Sequence, residues 1–123
     1  MGTYQELDIY KLSYQLAIRI SQITKSFPKE EIFGMTSQIN RSSRSVCVNI
    51  VEAYRKRMYP KHFLSKLSDA DGECSETIIW LNMSHDLKYI TNEEYTELIE
   101  GFERVGSMIG KMMQHPEKFT PKK

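Results

Sequence analysis

Residues 33–53 read FGMTSQINRSSRSVCVNIVEA. Met35, Ile39, Ser42, Val46, Ile50 and Ala53 recur every three or four positions. That is the repeat of one helix face, not the every-second-residue alternation of a strand. The face is mixed: Ser42 lies on it, Asn49 falls on its apolar side, and Glu52 stands one turn on. Buried polar groups must be hydrogen-bonded or they cost stability. Asn49, Glu52 and, on the next helical stretch, Glu76 are therefore read as a polar cluster that sets helix register or subunit geometry. The alternative is partial exposure at one end of the fold.

Outward from this stretch the same spacing recurs three times. Leu12, Leu16, Ile20, Ile23 and Phe27 mark a helix over 9–26. Phe63, Leu67, Ala70, Cys74, Thr77 and Leu81 mark one over 60–87, with Pro60 suited to its first position. Tyr95, Leu98, Phe102, Val105, Ile109 and Met112 mark one over 92–114, and Thr91 with Glu94 supplies a capping box at its start. The central helix is expected over 33–56. Pro28, Gly34, Pro60, Thr91-Asn92 and Pro116 punctuate the pattern, so the connections are short and neighbours antiparallel. The predicted fold is all-α, an up-down-up-down four-helix bundle over residues 1–114 with a flexible polar tail over 115–123. Gly106 and Gly110, four apart, are expected to let helices approach closely. A chain of 123 residues suits one domain.

Several helices carry more apolar surface than one seam needs: Tyr10, Tyr14 and Ile18; Cys47, Val48 and Val51; Ile78, Ile79, Trp80 and Met83. A second stripe on a small bundle usually meets another chain, and a homo-oligomer is expected. A wide stripe buried within one chain is the other reading.

A net charge of +1 conceals blocks. Residues 41–66 hold seven basic side chains and one acid, Glu52; residues 67–103 hold ten acids and one base, Lys88. Such segregation suits attraction of a polyanion or pairing of copies basic face to acidic face. Arg41, Arg44 and Arg55 are spaced to form one stripe, with Lys56 and Arg57 near its end. These five are the candidate nucleic-acid contacts, since a guanidinium fork matches phosphate. Tyr54 and Tyr59 lie nearby and could stack on unpaired bases. The competing reading of each arginine is a salt bridge to acids of the third helix or of another subunit.

Other chemistry is poorly supplied. Tyr59, Asn82 and Met112 stand three before His62, His85 and His115, so the Glu-x-x-His pairs of a di-iron bundle are missing. No sequence feature joins a histidine to a nucleophile and an orienting carboxylate, and no phosphate-loop or dinucleotide motif occurs. No catalytic residue, metal or cofactor is expected. Cys47 and Cys74 form no C-x-x-C pair and read as free, packed thiols. The absence of a signal-like start or a long apolar run leads to the expectation of a cytoplasmic protein with no membrane partner.

The stretch over 33–53, together with Phe27-Pro28 before it, resembles the second-helix signature of proteins encoded in intervening sequences of 23S rRNA genes, roughly F-G-L-x-x-Q-[IL]-x-R-A-x-x-S-[IV]-x-x-N-I-x-E-G. Ala70-x-Gly72-x-x-x-Glu76-Thr77 resembles that family's third-helix element, and Leu87-Lys88-Tyr89-Ile90 its exit. The likeness runs from about Leu7 to Met113. Ala53, Glu73, Asp69, Ser42 and Ser43 depart from the pattern; Asp69 and Glu73 add acid to the third helix, which argues against RNA binding there. The resemblance implies a ring-like homopentamer. It also points to the accessory variability protein of diversity-generating retroelements, a relative that binds nucleic acid and a reverse transcriptase. By that analogy RNA or DNA, and a reverse transcriptase or other protein, are candidate partners here.

Overall fold

The computed structural model describes residues 3–119. Among them stand four α-helices and no strand: α1 (Asp8–Ile23), α2 (Met35–Arg55), α3 (Pro60–Asp86) and α4 (Asn92–Gln114). The starts and stops follow local chemistry. Pro60 opens α3 at a position where a missing N–H costs nothing. Thr91 accepts from Glu94 N, and the Glu94 carboxylate accepts from Thr91 N, closing the capping box of α4.

The periodic positions form the core. Ile20, Ile39, Val46, Ile50, Phe63, Leu67, Leu81, Leu98, Phe102, Val105 and Ile109 are all at most 1% exposed. The most extensive packing is α2 on α3, followed by α3 on α4 and α1 on α2, and α4 closes against α1. Crossing contacts run in opposite senses. Met35 meets Ser84, Ser42 meets Thr77, and Glu52 meets Lys66, so numbers rise on α2 as they fall on α3. Cys74 Sγ donates to Phe102 O and Tyr95 Oη to Asn82 Oδ1 between α3 and α4.

Three features depart from the sequence reading or extend it. First, the close helix approach is at Gly101, not at Gly106 or Gly110. A Cβ on Gly101 would stand 2.5 Å from Leu16 Cδ2, whereas one on Gly106 would meet only Cys74 Sγ at 3.8 Å and one on Gly110 nothing within 4 Å. Second, residues 115–119 are not a free tail. Pro116–Lys118 form a 3-10 turn that carries Phe119 onto the core, 5.9 Å ring to ring from Phe63. Thr120 to Lys123 lie outside the described residues. Third, the start of α2 is capped from the preceding loop. Glu31 Oε1 accepts from Met35 N at 3.1 Å, and Glu31 Oε2 accepts from Tyr89 Oη at 2.9 Å. One carboxylate thus ties the α1–α2 loop to the α3–α4 turn.

No described helix is long and apolar enough to cross a membrane. The glycines give a paired test of the packing. Gly110→Ala should stabilise the protein by about 0.5–1 kcal/mol through helix propensity. Gly101→Ala should forfeit that gain because buried Leu16 must shift. Chemical denaturation of the two variants should rank Gly110→Ala the more stable by about 1 kcal/mol or more.

Candidate nucleic-acid interface

The spacing of Arg41, Arg44 and Arg55 predicts one stripe; the structure divides it by partner. Arg41 turns to α3. Its Nη1 donates to Glu73 Oε2 at 2.7 Å, and its Nη2 reaches the Glu76 carboxylate. Glu76 also accepts from Trp80 Nε1 at 3.1 Å. Burial pushes the Glu73 carboxyl up, but hydrogen bonds from Arg41 and Ser45 and the Arg41 charge outweigh it, so the group stays below its ordinary 4.5. Arg41 is thus committed to two carboxylates of its own chain.

Arg44 is exposed and makes no ion pair among the described residues. It borders a groove of about 420 Å³ between α1 and α2, walled by Tyr10, Tyr14, Ile18, Cys47, Val48 and Val51. The surplus apolar stripes of the first two helices therefore merge into one open face. At one end of α2, Phe33 stands 94% exposed beside exposed Ile32. On α3 the surplus divides: Ile78 and Trp80 pack against the core, while Ile79 and Met83 are about half exposed.

Arg55, Lys56 and Arg57 cluster at the end of α2 and in the turn that follows. Arg55 and Lys56 are exposed. Arg57 lies with its Cζ 4.1 Å from the Tyr54 ring centroid, and its Nη1 donates to Tyr54 O at 2.9 Å. With Lys61 this makes four cations between Arg55 and His62 and no acid. Met58 and Tyr59 are exposed on the same turn, Tyr59 edge-on to His62. Tyr54, read alongside Tyr59 as a stacking candidate, is buried instead.

The proposed polar cluster does not assemble. Asn49 Nδ2 donates to Ser45 O and Oγ within its own helix. Glu52 pairs with Lys66 at 3.0 Å, and Glu76 with Arg41 and Trp80. Asn49 and Glu52 are only partly buried; Asn49 finds its partner one turn back on its own helix, and Glu52 finds Lys66 across on α3. The dry polar contact is elsewhere, where Ser42 and Thr77 share a hydroxyl hydrogen bond of 2.8 Å with both residues fully enclosed. Both positions were visible as polar residues on apolar seams, which is the signal that could have paired them.

Among the described residues no three His, Cys, Asp or Glu side chains converge on a metal-sized site. Cys47 and Cys74 are buried, unlinked thiols. Burial, aided by the nearby Asp71 charge, pushes Cys74 up to about 11. His85 stacks 4.2 Å from Tyr95 and shares a hydrogen bond with Asn92; His115 lies 3.4 Å from Glu117.

Four packed helices with a basic turn at one end and an open apolar flank define a small all-helical bundle protein. A family model for the 23S rRNA-intervening sequence proteins matches residues 5–111, and the chain belongs to that family. It is similar to a protein of unknown function from the S23 ribosomal protein family of Bacteroides thetaiotaomicron. The TM-score to that crystal structure is 0.78 at 29% identity, over 86% of this chain and 95% of that one. No curated protein matches the chain.

The Arg41 network gives an acid-stability test. Because the Glu73 carboxyl is depressed, its contribution is present above the ordinary carboxylate value and is lost as pH falls through the folded value. Glu73→Gln should therefore lower stability at pH 7, by about 1 kcal/mol or less for so exposed a pair. It should also flatten the loss of stability below pH 4.5 relative to the parent. Denaturation midpoints across pH 3–7 would read both effects.

Proposed function

We propose that this chain is a non-enzymatic, self-assembling scaffold that binds structured RNA or DNA through the basic end of α2 and the α2–α3 turn. In this reading it is an up-down-up-down bundle in a ring-like homopentamer, and the open α1–α2 face is the contact between copies. The observation that carries the nucleic-acid reading is the acid-free turn: Arg55, Lys56, Arg57 and Lys61 stand together, and the first acid after them is Asp69. Cations free of internal carboxylates can exchange counterions for phosphates, which is the sequence-independent part of nucleic-acid affinity. Arg41 leaves the candidate set because Glu73 and Glu76 already satisfy it.

Assembly through the α1–α2 face is supported by the exposure of Tyr14, Ile18, Val48 and Phe33. Apolar patches of this kind seldom stay wet in a stable soluble protein. A specific observation also favours a second reading, a protein-interaction ring with no nucleic-acid contact. Arg44 borders the apolar groove, where a partner's carboxylate would meet it more readily than a phosphate backbone.

Light scattering and RNA-binding titrations across a salt series separate the two. The parent should assemble at low salt and bind RNA with a log–log salt slope of about −3 to −4 for each engaged turn, close to one per cation. Lys56→Glu with Lys61→Glu should reduce that slope while leaving the assembly intact. Val48→Asp should break the assembly. Absence of RNA or DNA retention at low salt by the assembled parent would overturn the nucleic-acid reading in favour of the second.

A further inference from the structure

The basic turn borders a notch that shares Arg55 and Arg57 with it. Thr3, Tyr4 and Gln5, ahead of α1, face Tyr54, Arg55 and Arg57 at the end of α2 across a cavity of about 490 Å³. We infer that this notch is a phosphate-binding subsite that takes one phosphate of a bound nucleic-acid chain, an inference that rests on the nucleic-acid reading above. Among the described residues its lining is rich in donors and holds no carboxylate: two guanidiniums, two hydroxyl-bearing side chains ahead of α1 and one amide. The neighbouring acids are not part of it. Glu6 does not line the notch, and Glu52 is paired with Lys66.

Arg57 is the built element. Its Cζ stands 4.1 Å over the Tyr54 ring centroid, and Nη1 is anchored on Tyr54 O at 2.9 Å. That bond also places positive charge on the carbonyl end of α2, offsetting the helix dipole that would otherwise repel an anion there. Arg57 Nε is enclosed and has no acceptor in the protein. A guanidinium has five N–H donors; with Nε enclosed and one Nη1 donor on Tyr54 O, the two of Nη2 and the second of Nη1 are left for an oxyanion. Arg55 is exposed and free of ion pairs among the described residues, and it supplies the second charge. A planar fork held in place is the arrangement that gains most from a tetrahedral oxyanion, because little side-chain freedom remains to be lost.

The notch differs from the turn in what it predicts. Lys56 and Lys61 contribute charge; Arg57 contributes geometry. Lys in place of Arg57 keeps the charge but loses the fork. The test uses the full chain in its assembled form with a fluorescent single-stranded RNA, and a parallel titration with inorganic phosphate read at the Arg57 Nε–H NMR signal. Arg57→Lys should weaken RNA binding roughly 5–10-fold, the scale of one charge-assisted bidentate contact. Arg55→Ala, at an exposed site that does not threaten folding, should weaken it and lower the salt slope by about one. The Arg57 signal should shift with RNA.

A shift with inorganic phosphate in a protein that does not bind RNA would keep the oxyanion site but remove the nucleic acid as its source, and the proposed function with it. RNA binding that stays within twofold of the parent in both arginine variants, yet falls in Lys56→Glu with Lys61→Glu, would overturn the subsite and leave the nucleic-acid reading standing. No shift with either probe would also overturn it.

Discussion

The α2–α3 seam is built from small side chains, and the rest of the bundle depends on it. Ser42 on α2 meets Thr77 on α3, Ser84 on α3 meets Met35 on α2, and the small side chains Val46, Ala53 and Ala70 are buried in the same core. Small residues allow the two backbones to approach, which is why this pair makes the most extensive contact in the molecule. The cost of such a seam is that its hydroxyls leave water. They are satisfied locally: Ser42 and Thr77 bond each other, Thr77 also bonds Glu73 O, and Ser84 bonds Trp80 O. A hydroxyl stranded in the same place would cost about 1–3 kcal/mol. The seam therefore tolerates one register, and that register brings Arg41 against Glu73 and Glu76 and Glu52 against Lys66.

This register decides which charges remain outside. Glu73 and Glu76 of α3 pair with Arg41, and Glu52 of α2 pairs with Lys66 of α3, while Arg55, Lys56, Arg57 and Lys61 make no ion pair among the described residues. Charge segregation along the chain thus becomes charge segregation in space, with the positive end at the α2–α3 turn. The apolar surplus is sorted by the same geometry. With one face of α2 committed to α3, Cys47, Val48 and Val51 turn toward α1 and meet Tyr10, Tyr14 and Ile18 around a common groove.

Much of this is legible in the sequence. Periodicity located the four helices because each has a seam of three- and four-residue steps, and Pro60 and the Thr91–Glu94 box marked helix starts by their own backbone chemistry. Pairing between helices was less legible. Arg41 and Arg55 share a helix face by spacing, yet only Arg41 is met by carboxylates of α3 among the described residues, which spacing on α2 does not encode. Asn49 found its partner at Ser45, one turn back, so its position on an apolar flank did not require a cluster. The close approach at Gly101 depends on Leu16 of another helix, which the sequence around Gly101 does not encode, whereas the spacing of Gly106 and Gly110 is visible within one helix. The docking of Phe119 on Phe63 was hidden by the prolines and charges around it.

The central claim is that assembly and nucleic-acid contact use different surfaces, an apolar α1–α2 flank and a basic turn. Hydrogen–deuterium exchange of the assembled protein, with and without RNA, tests that division directly. RNA should add protection over residues 55–66 and the segment ahead of α1, and leave the rest of α1 and the acidic stretch of α3 unchanged. New protection centred on the α1–α2 groove, or on residues 69–76, would contradict it.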